Sequence, residues 1–84
     1  MGKKELAENL IDFCAQYNLF DTPKEIFLAK DKVVENLGDI CFVESVIHTL
    51  ILKAKYIENV DFDRLKMLLI ELEKVRLDLE YDMV

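Results

Sequence analysis

Between Ile40 and Ile57 the apolar residues Ile40, Val43, Ile47, Leu50, Ala54 and Ile57 recur at intervals of 3, 4, 3, 4 and 3. Leu65, Leu68, Leu72, Val75 and Leu79 repeat the pattern further along the chain. Intervals that alternate between three and four hold successive side chains on one face of an α-helix, whereas a strand would scatter them over both faces. Such stripes are buried by packing helix on helix. Each run is shorter than the roughly three to four heptads of a coiled coil, so the seams belong to a bundle.

The breaks are as informative as the runs, because the chain has only two glycines and one proline. A first helix is expected over residues 3–19, with Leu6, Leu10, Phe13 and Tyr17 on one side and Glu5, Glu8, Asp12 and Gln16 on the other. In Asp21-Thr22-Pro23-Lys24-Glu25, threonine suits the N-cap, proline the first helical position and glutamate the third. The second helix, over 23–37, then turns Ile26, Phe27, Val33, Val34 and Leu37 inward and ends at Gly38, a residue able to take positive φ. Asp39 is placed to cap the third helix, 40–58, and Asp61 the fourth, 62–82. The fold expected is all-α: one domain over 1–84, a small four-helix bundle of two helical hairpins, completed by dimerisation.

Dimerisation enters because two of the helices carry more apolar surface than a small bundle buries. On the fourth helix, Leu65, Leu69, Leu72 and Leu79 centre on one side. Met67, Ile70, Leu77 and Tyr81 centre on nearly the opposite side, interrupted by Lys74. The third helix has Glu44 as its only formal charge from 40 to 52, and Phe42, Ser45, Thr49, Leu52 and Tyr56 line the side away from its seam. Helices apolar nearly all round are normally covered nearly all round. The surface formed by Met67, Ile70, Lys74, Leu77 and Tyr81 is therefore the candidate interaction site, with Lys74 at its rim or paired with Asp78 or with an acid of another chain.

At 84 residues the chain is too short for the common nucleotide-binding and barrel enzyme folds, which need roughly 150 to 250. Its net charge of −6 opposes loose binding to nucleic acid or anionic lipid. The longest apolar-looking stretch, 46–52, contains His48 and Thr49 and is far below the ~20 residues of a membrane span. Charges after Lys3 and Lys4 interrupt any secretory signal, and Leu6 stands where a myristoylation motif needs serine or threonine. A cytoplasmic protein with Cys14 and Cys41 reduced is expected.

Constellations that could carry chemistry are sparse. Cys41, Glu44 and His48 share one edge of the third helix and are competent zinc ligands, two such edges across a dimer making a conceivable site. The plainer reading is a buried thiol beside an i,i+4 ion pair, so no metal is assigned. Ser45 with His48 lies on a single helix face that supplies no oxyanion donors, and no catalytic residue or cofactor is assigned. Asn59-Val60-Asp61-Phe62-Asp63 begins like a calcium loop, but Arg64 and Ile70 stand where glycine and the bidentate glutamate belong. A helix-turn-helix reading of the second and third helices fails on Ile40, Cys41, Phe42 and Val43 at the end that would enter DNA.

From 61 to 84, seven acids stand against four bases, with Asp78, Glu80 and Asp82 at an electrostatically unfavourable helix end. Arg64, Lys66, Lys74 and Arg76 are interleaved as partners of Glu71, Glu73, Asp78 and Glu80. The function expected is a non-catalytic helical protein–protein interaction or regulatory module, its partner a second copy or another protein. The alternatives are an acidic inhibitor that mimics nucleic acid on a basic protein surface and, more remotely, a DNA-binding regulator. Thr22→Ala should destabilise the protein by about 1 kcal/mol in equilibrium unfolding, through loss of the capping oxygen.

Overall fold

The computed structural model describes residues 1–19 and 30–82, and every regular element among them is helical. α1 spans Lys3–Tyr17, α2 Lys30–Asn36, α3 Ile40–Ala54 and α4 Phe62–Asp82. The capping box at Thr22, Pro23 and Glu25 lies outside the described residues, as do Ile26 and Phe27.

Backbone hydrogen bonding explains where α1, α2 and α3 stop. α1 ends two residues before the expected position 19, because Asn18 adopts the left-handed conformation at φ 52°. The Leu19 N–H then reaches back to the Cys14 carbonyl at 3.1 Å. This closure satisfies the last carbonyls and folds Leu19 into the core. α3 stops at Ala54, short of the expected 58. There the Tyr56 N–H donates to Lys53 and the Ile57 N–H to Ala54 in a tighter turn, and Asn59 takes φ 59°. Asp39 caps α3 as expected, its Oδ1 accepting from the Cys41 N–H at 2.9 Å. Asp61 caps α4 in the same way, accepting from the Arg64 N–H at 3.1 Å.

Gly38 does not take the positive φ expected of it. The turn between α2 and α3 is instead held by the Gly38 N–H on Glu35 and the Asp39 N–H on Asn36, at 3.1 and 2.9 Å. A Cβ at position 38 would lie 3.3 Å from the Glu35 carbonyl oxygen, so glycine answers a close backbone approach and not a left-handed turn.

α4 packs on both α3 and α1, and α2 packs on α1. Leu65, Leu68 and Leu72 of α4 are buried against Leu6, Leu10 and Phe13 of α1 and Val43, Val46 and Leu50 of α3 in one apolar core. The expected seam of α3 is buried at Val43, Leu50 and Ala54, while Ile40 at its start and Ile57 beyond its end are half-buried; at its middle the expectation is corrected, since Val46 is buried and Ile47 only half-buried. Both residues satisfy a spacing of three or four from Val43 and Leu50. The roll of the helix against α4 chooses between them.

Polar contacts then fix α1 against the start of α4. The Tyr17 hydroxyl accepts the Asp61 N–H at 2.9 Å. The Arg64 guanidinium donates to Gln16 Oε1 at 2.9 Å and lies 5.6 Å from the centre of the Phe13 ring. Arg64 thus serves the helix–helix junction and not the ladder of α4 acids in which it was expected. Glu8 and Lys30 form an ion pair that joins α1 to α2. Leu50 has no solvent exposure, so Leu50→Ala should cost about 2–5 kcal/mol in denaturant unfolding. Tyr56→Ala, at a side chain 87% exposed, should stay within about 0.5 kcal/mol of the wild type.

Candidate interaction surface

The core seam of α4 leaves the opposite flank of the helix uncovered, and α3 lies alongside only part of it. Between the two helices runs an open groove of about 710 Å³. Ile47 and Ile51 form its α3 wall, and Phe62, Leu65, Leu69, Ile70 and Leu77 its α4 wall. Lys66, Glu73 and Lys74 supply its polar atoms. Phe62 is 67% exposed, Leu77 52% and Ile70 48%, so much of the apolar lining meets solvent.

Of the five residues expected to form the interaction surface, the structure brings Ile70, Lys74 and Leu77 together on this groove. Met67 instead packs half-buried against the core. Tyr81 is 84% exposed and borders a separate recess with Lys3, Val75, Asp78 and Leu79. The apolar face is therefore rotated toward α3 relative to the sequence expectation. Phe62, Leu69, Ile47 and Ile51 join it unannounced. The available signal was Ile51, which extends the apolar surface one turn beyond the seam residue Ile47 as its i,i+4 neighbour.

On the far side of α3 Leu52 is exposed as expected, as is Tyr56 in the turn that follows, whereas Phe42 packs on the core.

The charges of α4 are arranged along its own axis. Lys74 pairs with Glu71 at 3.3 Å, and not with Asp78. The chain's N-terminal amine approaches the same Glu71 at 3.9 Å. Arg76 forks between Glu73 and Glu80, with the Glu80 contact at 2.6 Å. The Arg76 hydrogen bond holds the Glu73 carboxyl below its ordinary range, and the surrounding carboxylates of Glu73, Glu80 and Glu44 keep Arg76 firmly protonated.

The expectation of a buried thiol at Cys41 is corrected. Cys41 is exposed at the start of α3, and the buried thiol is Cys14. Burial pushes the Cys14 thiol up to about 12. Among the described residues no three His, Cys, Asp or Glu side chains converge in a way that could hold a metal. None of the described helices is long and apolar enough to cross a membrane.

No protein-family model, curated protein or solved structure matches the chain. Geometry and chemistry therefore carry the functional reading.

The two thiols generate a test of the local packing. A disulfide reagent at pH 8 should modify Cys41 in the folded protein and Cys14 only once the protein unfolds. In the unfolded chain Cys14 ionises near pH 9, whereas in the fold it stays neutral to about 12. The unfolded state therefore holds fewer protons across that window, and stability should fall as pH rises from about 9 to about 12. Cys14→Ala should flatten that dependence in pH-resolved unfolding curves.

Proposed function

We propose that this protein is a non-catalytic helical interaction module that works by presenting the α3–α4 groove to another protein surface, and that dimerisation completes its small bundle. The carrying observation is the exposed apolar lining of one open groove, with Phe62, Ile70 and Leu77 on α4 and Ile47 and Ile51 on α3. Covering an exposed leucine or isoleucine is worth roughly 1.5 to 3 kcal/mol, so a partner that fills this groove gains several such terms at once. Contiguous apolar surface of this kind on small soluble proteins marks contact sites.

The polar chemistry of the groove agrees with a binding role. Glu73 is held by Arg76 and Lys74 by Glu71, so these groups are engaged in charge pairing along the helix. Apolar burial is then the main source of affinity, and the charges set orientation. The same interleaving weighs against mimicry of nucleic acid, which requires an unbroken acidic face. The proposed partners are a second copy or another protein, in the cytoplasm, with neither nucleic acid nor membrane engaged directly.

Light-scattering mass measured across dilution tests this reading. The wild type should exceed monomer mass, and Ile70→Lys and Leu77→Lys should shift it to monomer while the helical far-UV signal persists. The association should survive about 0.5 M salt, where charges are screened over a few ångströms. A monomeric wild type, or charged variants that unfold instead of dissociating, would overturn the proposal. Steep loss of association with salt would favour the acidic-inhibitor reading instead.

A further inference from the structure

We infer that the occupant of the groove is α4 of a second copy, running antiparallel about a two-fold axis beside Glu73 and Lys74. This rests on the interaction-surface reading above and goes beyond it by fixing the partner, the direction and the register.

Charge along α4 decides the direction. Residues 62–70 carry one acid, Asp63, against Arg64 and Lys66. Residues 71–82 carry five acids against Lys74 and Arg76. A parallel pair would set Lys66 beside Lys66, Glu73 beside Glu73 and the acidic end beside its own copy. Each of those juxtapositions is repulsive, and both helix dipoles would point the same way. An antiparallel pair instead brings the acidic end of each helix to the level of Lys66 of the other, the basic group that this segment presents at the groove, since Arg64 is turned to Gln16 and the Phe13 ring of α1.

The register follows from the same residues. With the axis between positions 73 and 74, Lys74 lies opposite Glu73 of the second copy and Ile70 opposite its Leu77. Lys66 then meets Tyr81, which sits between Glu80 and Asp82. Ile70 and Leu77, two of the half-exposed aliphatic side chains of the groove, cover one another, and Lys74 meets Glu73 of the other copy. Tyr81 also acquires a role. It is 84% exposed and lies outside the groove of its own chain, but in this arrangement it lands at the level of Lys66 and Phe62, where the groove of the other copy begins. A two-fold arrangement makes the contact twice with one self-complementary patch.

Double electron–electron resonance on the full chain tests the arrangement. Nitroxide is attached at Asp63→Cys in one sample and Asp82→Cys in another, both on a Cys41→Ser background, with mass measured on the same samples. A rise of 1.5 Å per residue places the two labels of a pair about 30 Å apart at position 63 and somewhat less, about 25 Å, at position 82. Separations below about 15 Å at both positions, in a protein of dimer mass, would show a parallel pair and overturn the inference while leaving the interaction surface intact. Separations that differ by more than about 15 Å between the two positions would move the axis away from Glu73 and Lys74 and also overturn it. Monomer mass with no inter-copy signal would overturn both this inference and the reading beneath it. As a check on the charge pairing, Lys74→Glu should weaken the dimer about tenfold, and Lys74→Glu combined with Glu73→Lys should restore it to within about threefold. Failure of the double variant to recover, with its helicity retained, counts against the register.

Discussion

The whole fold depends on one helix being shared. α4 buries Leu65, Leu68 and Leu72 in a core to which α1 and α3 both contribute, and it packs on both of them. A helix with neighbours on two sides still shows much of its circumference to water. For most helices that remainder is polar. In α4 it holds Phe62, Leu69, Ile70 and Leu77, so the arrangement that stabilises the core also creates the groove.

Register between the shared helix and α1 is set by groups that hydrophobic pattern does not describe. Tyr17 accepts a hydrogen bond from the backbone of Asp61, Gln16 holds Arg64, and Arg64 covers the Phe13 ring. Apolar burial is non-directional and tolerates sliding by a turn. Hydrogen bonds of this geometry do not. The capping oxygen of Asp61 and its tie to Tyr17 fix the start of α4 twice over, once within the helix and once from outside it.

Charge plays a second-order part in holding the chain together and a larger part in what it can meet. The ion pairs of Arg76 and Lys74 run along the surface of α4, where solvent weakens them. Their effect is to neutralise the middle of an acidic helix locally and leave its end negative. The apolar groove on this helix is thus bordered by charges of both signs, Lys66, Glu73 and Lys74.

The sequence by itself determined the class of fold and most helix boundaries. Spacings of three and four, few breakers, and aspartates at positions 39 and 61 state helix, stop and cap in terms that depend only on neighbours a turn away. The heptad seam of α4 was legible for the same reason. What escaped was whatever depends on how one helix rolls against another. Val46 and Ile47 fit the α3 pattern equally, and only contact with α4 buries the first and leaves the second at the groove. The helical wheel sets Leu69 on the core side of α4 and Met67 on the opposite side, yet packing leaves both half-buried against the core, with Leu69 also on the groove wall and Met67 away from it. Gly38 reads as a left-handed stop, but a backbone carbonyl 3.3 Å from its missing Cβ is the constraint it answers. Periodicity fixes which residues share a face; it cannot say where that face is aimed, because aim is a property of two helices, and their packing angle is settled only by the side chains of both.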